Sequence, residues 1–492
     1  MSLNELCNLT LTQAQQALCN SQTSSEALTQ ACLAQIKKHD DDIGAFLFVN
    51  EQSALQQAQA SDLRRQENKL LSPIDGIPLA LKDNILALGT PTTAASKSLE
   101  GYDSTYNATV TQKLLDAGAV ILGKLNLDEF AMGSSNENSG YQVCKNPWDA
   151  NKAPGGSSGG AAAAVAAGMC FGALGTDTGG SIRQPASFCG VTGLKPTYGR
   201  ISRFGVVAYG SSLDQVGPLT RDVQGAALLY ETISGFDPRD ATSLDRPVEH
   251  TPNQTPDTLK GLRIGLPKEF NGHKGLSTEV QNVLNETREK LSALGASFKE
   301  VSLPHTDYAI ATYYIVATAE AASNLARYDG IRYGPRKGQG KDLETLYAQT
   351  RGQLLGKEVK RRILLGNYVL SAGYYDAYYL KALKARRRIA DDFEMAFQSV
   401  DLILCPTAPT PAFGIGEKTS DPLQMYLSDI FTISCNLAGI PGLSVNAGFC
   451  SEGLPIGMQL LGPAFSEKRI LETAKCLETS LGIQDKRPLL QD

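Results

Sequence analysis

At 492 residues the chain is long enough for about three ordinary domains. A composition of 42% hydrophobic, 20% charged and 7% aromatic residues is that of a folded globular protein and excludes disordered, collagen-like and coiled-coil classes. The formal charge of −5 gives no overall positive field for gripping phosphate backbones, so any nucleic-acid contact has to be local or supplied by a partner.

The longest weakly polar stretch, Ala161 to Gly175, is too short and too rich in Ala and Gly to span a bilayer. Met1 to Asn20 has no basic start followed by an apolar run, so no secretory signal is expected and the expected location is the cytoplasm. The ten cysteines are scattered without a CxxC pair, as expected of reduced core thiols rather than a metal or redox site.

In chain order, Thr23 and Glu26 fit a capping box ahead of Leu28, Ala31, Cys32 and Ile36, so residues 1–70 are expected to open with helices. From Ile74 short apolar runs bounded by Gly and Pro alternate with helical patterns, which predicts an α/β fold. Gly118 should end a helix before a buried strand at Ala119 to Leu122. Residues 236–260, rich in Asp, Pro, Thr and Asn, read as a surface connection between the segment 71–235 and the remainder, 261–492. The alternation resumes as a strand at Leu262 to Leu266, a helix face from Val280 to Leu294 stopped by Gly295, and a strand at Phe298 to Leu303. A helical block follows from Tyr308 to Met395, in which Lys360-Arg361-Arg362 and Lys384 to Arg388 read as solvated faces or docking surface. Strands at Leu402 to Leu404, Leu443 to Val445 and Ile456 to Leu461, then a helix from Glu467 to Leu481, complete the pattern. Nothing is biased enough to be a linker, so one domain is expected over 1–492.

Glycine is concentrated where chemistry is expected: 14 of the 47 fall within residues 155–210. Gly155 to Gly160 is a Gly/Ser turn opening an Ala-rich helix, whose free amides and positive dipole end could face an anion. A phosphate loop would need Gly-Lys-Ser/Thr where Gly159-Gly160-Ala161 stands, and a flexible linker would not run straight into a helix and a second glycine loop. A nucleophile elbow with Ser158 needs a strand before it, where Asn146 to Pro154 is turn-like, and needs a histidine. The four histidines, His39, His250, His273 and His305, sit in charged or turn-like surroundings that suggest no general base.

Serine with lysine as base remains. Strand alternation in Gly76 to Asp83 puts Lys82 at the end of a row with Pro78 and Ala80, where it can lose its water. To act near neutrality its pKa has to fall from about 10.4 toward 7, against a cost of about 4 kcal/mol that burial can impose. On spacing alone, an ordinary strand-end lysine paired with Asp83 fits as well.

Lys82, the Gly155 to Gly160 turn and Asp177-Thr178-Gly179-Gly180-Ser181-Ile182-Arg183-Gln184-Pro185-Ala186 together resemble the amidase signature family. The resemblance implies a single large α/β domain, a central mixed sheet covered by helices on both faces, and a Ser–cis-Ser–Lys triad. In it Ser181 would be the nucleophile, Ser157, on a cis peptide, the proton relay and Lys82 the ultimate base. The amides of Thr178, Gly179, Gly180 and Ser181 would form the oxyanion hole.

Asp128 to Ser135, Asn146 to Asp149, Ser212 to Pro218, Tyr328 to Gly334, Glu358 to Ile363 and Gly453 to Gln459 narrow the resemblance to the family's tRNA-dependent amidotransferase A subunits. Gly140 to Lys145 and Ala161 depart from that pattern, at no triad position. The resemblance implies a glutaminase working with B and C subunits in a heterotrimer, with ammonia passed on to convert glutamyl-tRNA(Gln) to glutaminyl-tRNA(Gln). Charged tRNA would be engaged through the complex. No cofactor or metal is expected in this chain, and ATP and Mg are expected in the partner. Tyr313, Arg362 and Asp429 would hold the glutamine head, with one-residue ambiguities toward Tyr314 and Arg361; a zwitterion needs a cation for its carboxylate and an anion for its ammonium. A free-standing amidase of small amides is the alternative, and a non-catalytic scaffold of the same fold the remote one.

Overall fold

The computed structural model describes residues 1–251, 255–256, 258–338, 342–419 and 421–490. Eleven strands form one sheet: β1 (Phe46–Val49), β2 (Pro78–Lys82), β3 (Val120–Leu125), β4 (Gly172–Asp177), β5 (Thr192–Lys195), β6 (Gln215–Thr220), β7 (Arg263–Pro267), β8 (Ser297–Val301), β9 (Leu402–Pro406), β10 (Gly442–Phe449) and β11 (Pro455–Leu461). Their order is β1-β3-β2-β4-β6-β5-β10-β11-β9-β7-β8, and the sheet is mixed, with β2 parallel to both β3 and β4. Residues 261–492 thus complete the sheet begun before 235, in one domain.

Both faces are covered. In β9, Leu402 and Leu404 point into one apolar core and Ile403 and Cys405 into the other, as a period of two requires of a strand buried on each side. The Ala-rich helix Gly159–Ala166 is buried along its whole length, its small side chains letting it lie close against the sheet. Eight of the ten cysteines are buried and none is in a disulfide among the described residues. Among the described residues no helix is long and apolar enough to cross a membrane.

Most predicted elements are present, many with shifted ends, but the helical block expected from Tyr308 to Met395 is broken between the helices Ala309–Leu325 and Leu343–Leu354, where 339–341 lie outside the described residues, and one start signal lies elsewhere than expected. The helix Ser25–Ile43 is capped by Ser24, whose hydroxyl accepts from the Ala27 amide at 3.1 Å, rather than by Thr23 with Glu26. Asp62 takes the free amides of Ser25 and Glu26 at 2.7 and 3.0 Å, so a carboxylate from another helix accepts the Glu26 amide that the expected box assigns to the Thr23 hydroxyl. Of the proposed surface connection, 252–254 and 257 lie outside the described residues.

Candidate active site

Parallel pairing of β2 with β4, Leu81 opposite Leu174, brings Lys82 and Thr176 together at the carboxyl ends of adjacent strands. Lys82 is fully buried. Its Nζ lies 2.7 Å from Ser157 Oγ, 2.9 Å from Ser158 Oγ and 2.9 Å from Thr176 Oγ1. The hydroxyl of Ser158 donates to Thr176 O at 3.1 Å while accepting from the Thr176 amide at 3.3 Å, so toward Lys82 it can only accept. A neutral amine, with two N–H groups and one lone pair, can therefore donate to Ser158 and Thr176 and receive the proton of Ser157. Burial brings the lysine down to about 7, against the pull of Asp128, Asp177 and Asp214. The adjacent Asp83 is not its partner: that carboxylate binds Lys124 at 2.9 Å.

The Gly156–Ser157 peptide is cis. Gly156 donates its amide to Gln184 Oε1 at 2.9 Å, Ser157 O accepts from the Asp128 amide at 3.3 Å, and the Ser158 amide donates to Ser181 O at 3.1 Å. The last bond joins the two serine segments. Ser181 is 8% exposed, and its hydroxyl makes no hydrogen bond among the described residues, to Ser157 included. The amide end of the Ala-rich helix is not an open anion site, because Asn136 Oδ1 already accepts from Gly160 N at 2.9 Å. Ser158 is no elbow nucleophile, being held by Thr176 and Lys82, and His250 and His305 are taken up by Glu231 and Asp392.

The loop 178–181 is built around Asp177. Its carboxylate accepts from the Gly180 amide at 2.8 Å, from Arg183 Nε and Nη2 at 3.1 and 3.2 Å, and from Asn436 Nδ2 at 2.9 Å. Burial works to raise this carboxyl, but the Arg183 guanidinium overrides it and holds the group at about 2. The structure here departs from the four-amide expectation: Gly180 is committed to Asp177, whereas the amides of Thr178, Gly179 and Ser181 have no acceptor among the described residues. Both glycines are required. A Cβ on Gly179 would stand 2.7 Å from the Tyr313 ring, and Gly180 has φ +134° with Thr432 Oγ1 only 2.2 Å from where a Cβ would be.

The residues expected to hold a head group gather beyond this loop. Arg362, within the helix Lys357–Leu370, is 3% exposed, not a solvated face. Its Nε donates to Glu358 Oε1 at 2.8 Å and its Nη1 to Tyr209 OH at 2.7 Å, with the rings of Tyr314, Tyr209 and Tyr426 around the guanidinium. Arg361 is 41% exposed at its side chain and pairs with Glu358 from outside. Tyr313 packs against Gly179, whereas Tyr314 stacks on Tyr426 with centroids 3.8 Å apart. Tyr313 thus lies against the loop 178–181, and of the two arginines Arg362 is the buried one.

Asp429 is buried; its Oδ2 accepts from the Ser134 hydroxyl and its Oδ1 has no hydrogen-bond donor among the described residues. Burial pushes its carboxyl up to about 7, with Ser134 and Arg362 pulling it back. An unfilled buried acceptor beside a caged guanidinium is what the ammonium and carboxylate of an amino acid would complete. Thr432 ties the two halves, donating to Gly179 O at 2.7 Å and lying within 3.0 Å of Asp429 O. Next to Arg362 a cleft opens between Glu358, Lys418, Met425 and Tyr426.

Sequence reasoning missed Thr176 and Ser158 as partners of Lys82, and Ser134, Tyr209 and Glu358 as supports of the head pocket. Only Asp177 left a readable signal, an acidic residue three positions before Gly180 whose carboxylate reaches the loop amides. Among the described residues no group of three or more His, Cys, Asp or Glu side chains is arranged to hold a metal ion.

Residues 27–471 match the family model described as Amidase. The chain is 53% identical over 479 residues to the A subunit of the glutamyl-tRNA(Gln) amidotransferase of Anaeromyxobacter sp. strain K, covering 97% of each. The solved structure of the same subunit from Thermotoga maritima superimposes with a TM-score of 0.80 at 41% identity, over 100% of this chain and 98% of that one. The peptide amidase of Stenotrophomonas maltophilia gives 0.82 at 29% identity, over 98% and 99%. The chain belongs to the amidase family, in the branch formed by the A subunits of glutamyl-tRNA(Gln) amidotransferase.

Proposed function

We propose that this chain is the glutaminase subunit of a glutamyl-tRNA(Gln) amidotransferase, releasing ammonia from the side-chain amide of glutamine. The observation that carries the reading is Lys82: an amine buried, brought to about 7 and 2.7 Å from the Ser157 hydroxyl. Ser181 Oγ forms a bond to the amide carbon as its proton passes to Ser157 Oγ, whose own proton moves to Lys82 Nζ. The carbonyl electron pair goes to oxygen, facing the amides of Thr178, Gly179 and Ser181. Collapse breaks the C–N bond, the proton returns through Ser157 to nitrogen, and ammonia leaves. Water then attacks the ester by the same relay and releases glutamate. Tyr313, Arg362 and Asp429 hold the head, with Arg362 on the carboxylate and Asp429 Oδ1 on the ammonium.

The chain acts in the cytoplasm with B and C subunits in a heterotrimer, in which the partner supplies ATP and Mg chemistry and contacts charged tRNA. No cofactor is assigned to this chain. Ser181→Ala is expected to abolish glutamine hydrolysis while leaving transamidation by the assembled complex intact when ammonia is added. Loss of both would contradict the assignment. Brisk hydrolysis of assorted small amides by the purified chain alone would favour a free-standing amidase, a reading that gives no use to the Arg362 and Asp429 pocket.

A further inference from the structure

The stretch Ser212 to Pro218 marks the family resemblance, yet none of its residues touches the reacting atoms, and Asp214 has so far entered only through its charge acting on Lys82. Its Asp214 is 4% exposed and joins two parts of the site that lie on different segments. Asp214 Oδ1 accepts from the Thr178 hydroxyl at 2.6 Å and from the Gly210 amide at 3.1 Å, and Oδ2 accepts from the Tyr209 amide at 2.9 Å. Thr178 begins the loop that faces the reacting carbonyl. Tyr209 is the residue whose hydroxyl meets Arg362 Nη1 at 2.7 Å.

The turn between them is closed and anchored. The amides of Leu213 and Asp214 return to Gly210 O at 2.9 and 2.8 Å. Asn324 Nδ2 holds Tyr209 O at 3.0 Å, Glu320 accepts from the Ser212 amide at 2.8 Å, and Arg386 reaches Ser212 Oγ at 2.7 Å. With the turn fixed from outside by side chains of the helices Ala309–Leu325 and Lys381–Phe397, the Asp214 carboxylate connects it inward, and its three donors fall on the two functional arms. An amide in its place could not serve them all, because one of its two ends is a donor that would face Thr178 and Gly210 or face Tyr209.

We propose that Asp214 is a positioning residue that sets both the oxyanion loop, through Thr178, and the head-group arginine, through Tyr209. It couples grip on the amino-acid head to stabilisation of charge at the amide end. The inference rests on the glutamine-hydrolysis reading above.

The test is steady-state glutamine hydrolysis by the full chain, purified with its partner subunits, as four single variants. Thr178→Val keeps the backbone amide and removes the hydroxyl; it is expected to lower kcat about tenfold to a hundredfold with KM held within about twofold, since small misplacements of an oxyanion donor are costly. Thr178→Ser restores the hydroxyl and is expected to keep kcat within about threefold of the parent. Tyr209→Phe is expected to raise KM about tenfold with little change in kcat, and Asp214→Asn to move both parameters. The proposal is overturned if Asp214→Asn moves one parameter or neither, if Thr178→Val leaves kcat unchanged, or if Thr178→Ser is as impaired as the valine. Should Asp214→Asn not fold, the Thr178 pair and Tyr209→Phe decide it. A parent that does not hydrolyse glutamine overturns the proposed function and this inference together, whereas an active parent with unmoved variants overturns only the role of Asp214.

Discussion

Asp83 Oδ1 binds Lys124 Nζ at 2.9 Å and leaves the neighbouring Lys82 without its nearest carboxylate in sequence. Lys124 is also held by Thr92 Oγ1 at 2.7 Å and Pro91 O at 3.0 Å, and both members of the pair are buried. Two lysines at the ends of adjoining strands thus have opposite fates, one ion-paired and one set among hydroxyls. Removing Lys124 strands a buried carboxylate. Lys124→Met is expected to destabilise the fold by about 3–5 kcal/mol, read as a lowered urea midpoint, and adding Asp83→Leu should recover part of the loss. An unchanged midpoint in the single variant would contradict this.

Lys82→Met removes the proton acceptor and keeps an apolar stem in the same space. Glutamine turnover is expected to fall by about a hundredfold to ten-thousandfold. Lys82→Arg should not rescue it, because a guanidinium stays charged. Activity in the arginine variant comparable with the parent would exclude lysine as base.

The pH dependence has a definite sign. Lys82 works neutral and Asp429 ionised, and burial brings each to about 7, so both working states are gained as pH rises and lost as it falls. kcat/KM, which reports the free protein, should fall below pH 7 with a slope approaching two. kcat should fall with a slope of one, because bound glutamine keeps Asp429 charged and leaves only the lysine to titrate. Asp429→Asn should reduce the slope of kcat/KM to one; a slope that stays at two would assign the second proton elsewhere.

Head-group recognition predicts effects on KM. Arg362→Lys loses the bond to Tyr209 or that to Glu358 and the ring contacts, and Asp429→Asn loses the anionic acceptor. Each is expected to raise KM for glutamine about tenfold to a hundredfold, the worth of one charge-assisted hydrogen bond. Arg361→Lys, whose parent side chain pairs with Glu358 from outside the pocket, should leave KM unchanged within about twofold.

Periodicity was enough to find most of the strands and helices, because sheet strands buried on both faces and helices against them leave strong apolar patterns. The helix Glu467–Leu481 falls where the sequence puts it. Cap and partner choices were not legible where long-range geometry decides them. Asp62 displaced Thr23 at one helix start, Asn136 filled the amide end expected to face an anion, and Lys124 took Asp83 across 41 residues. Lys82 was legible as a lysine that burial could discharge, but its choice over a surface pair came from the family motif. Arg362 was harder still. It sits in a basic run that reads as a wet surface, and only folding turns one of its three cations inward.

The central claim is a lysine neutral at working pH that activates Ser181 through Ser157. Its most direct test is the rate at which a fluorophosphonate modifies the chain between pH 5.5 and 9, with the labelled residue located by peptide mass mapping. The account predicts a label on Ser181, a rate that rises with an apparent pKa near 7, and loss of that dependence in Lys82→Met. Labelling at Ser157 or Ser158 instead, or a rate in the parent that does not change across this range, would contradict it.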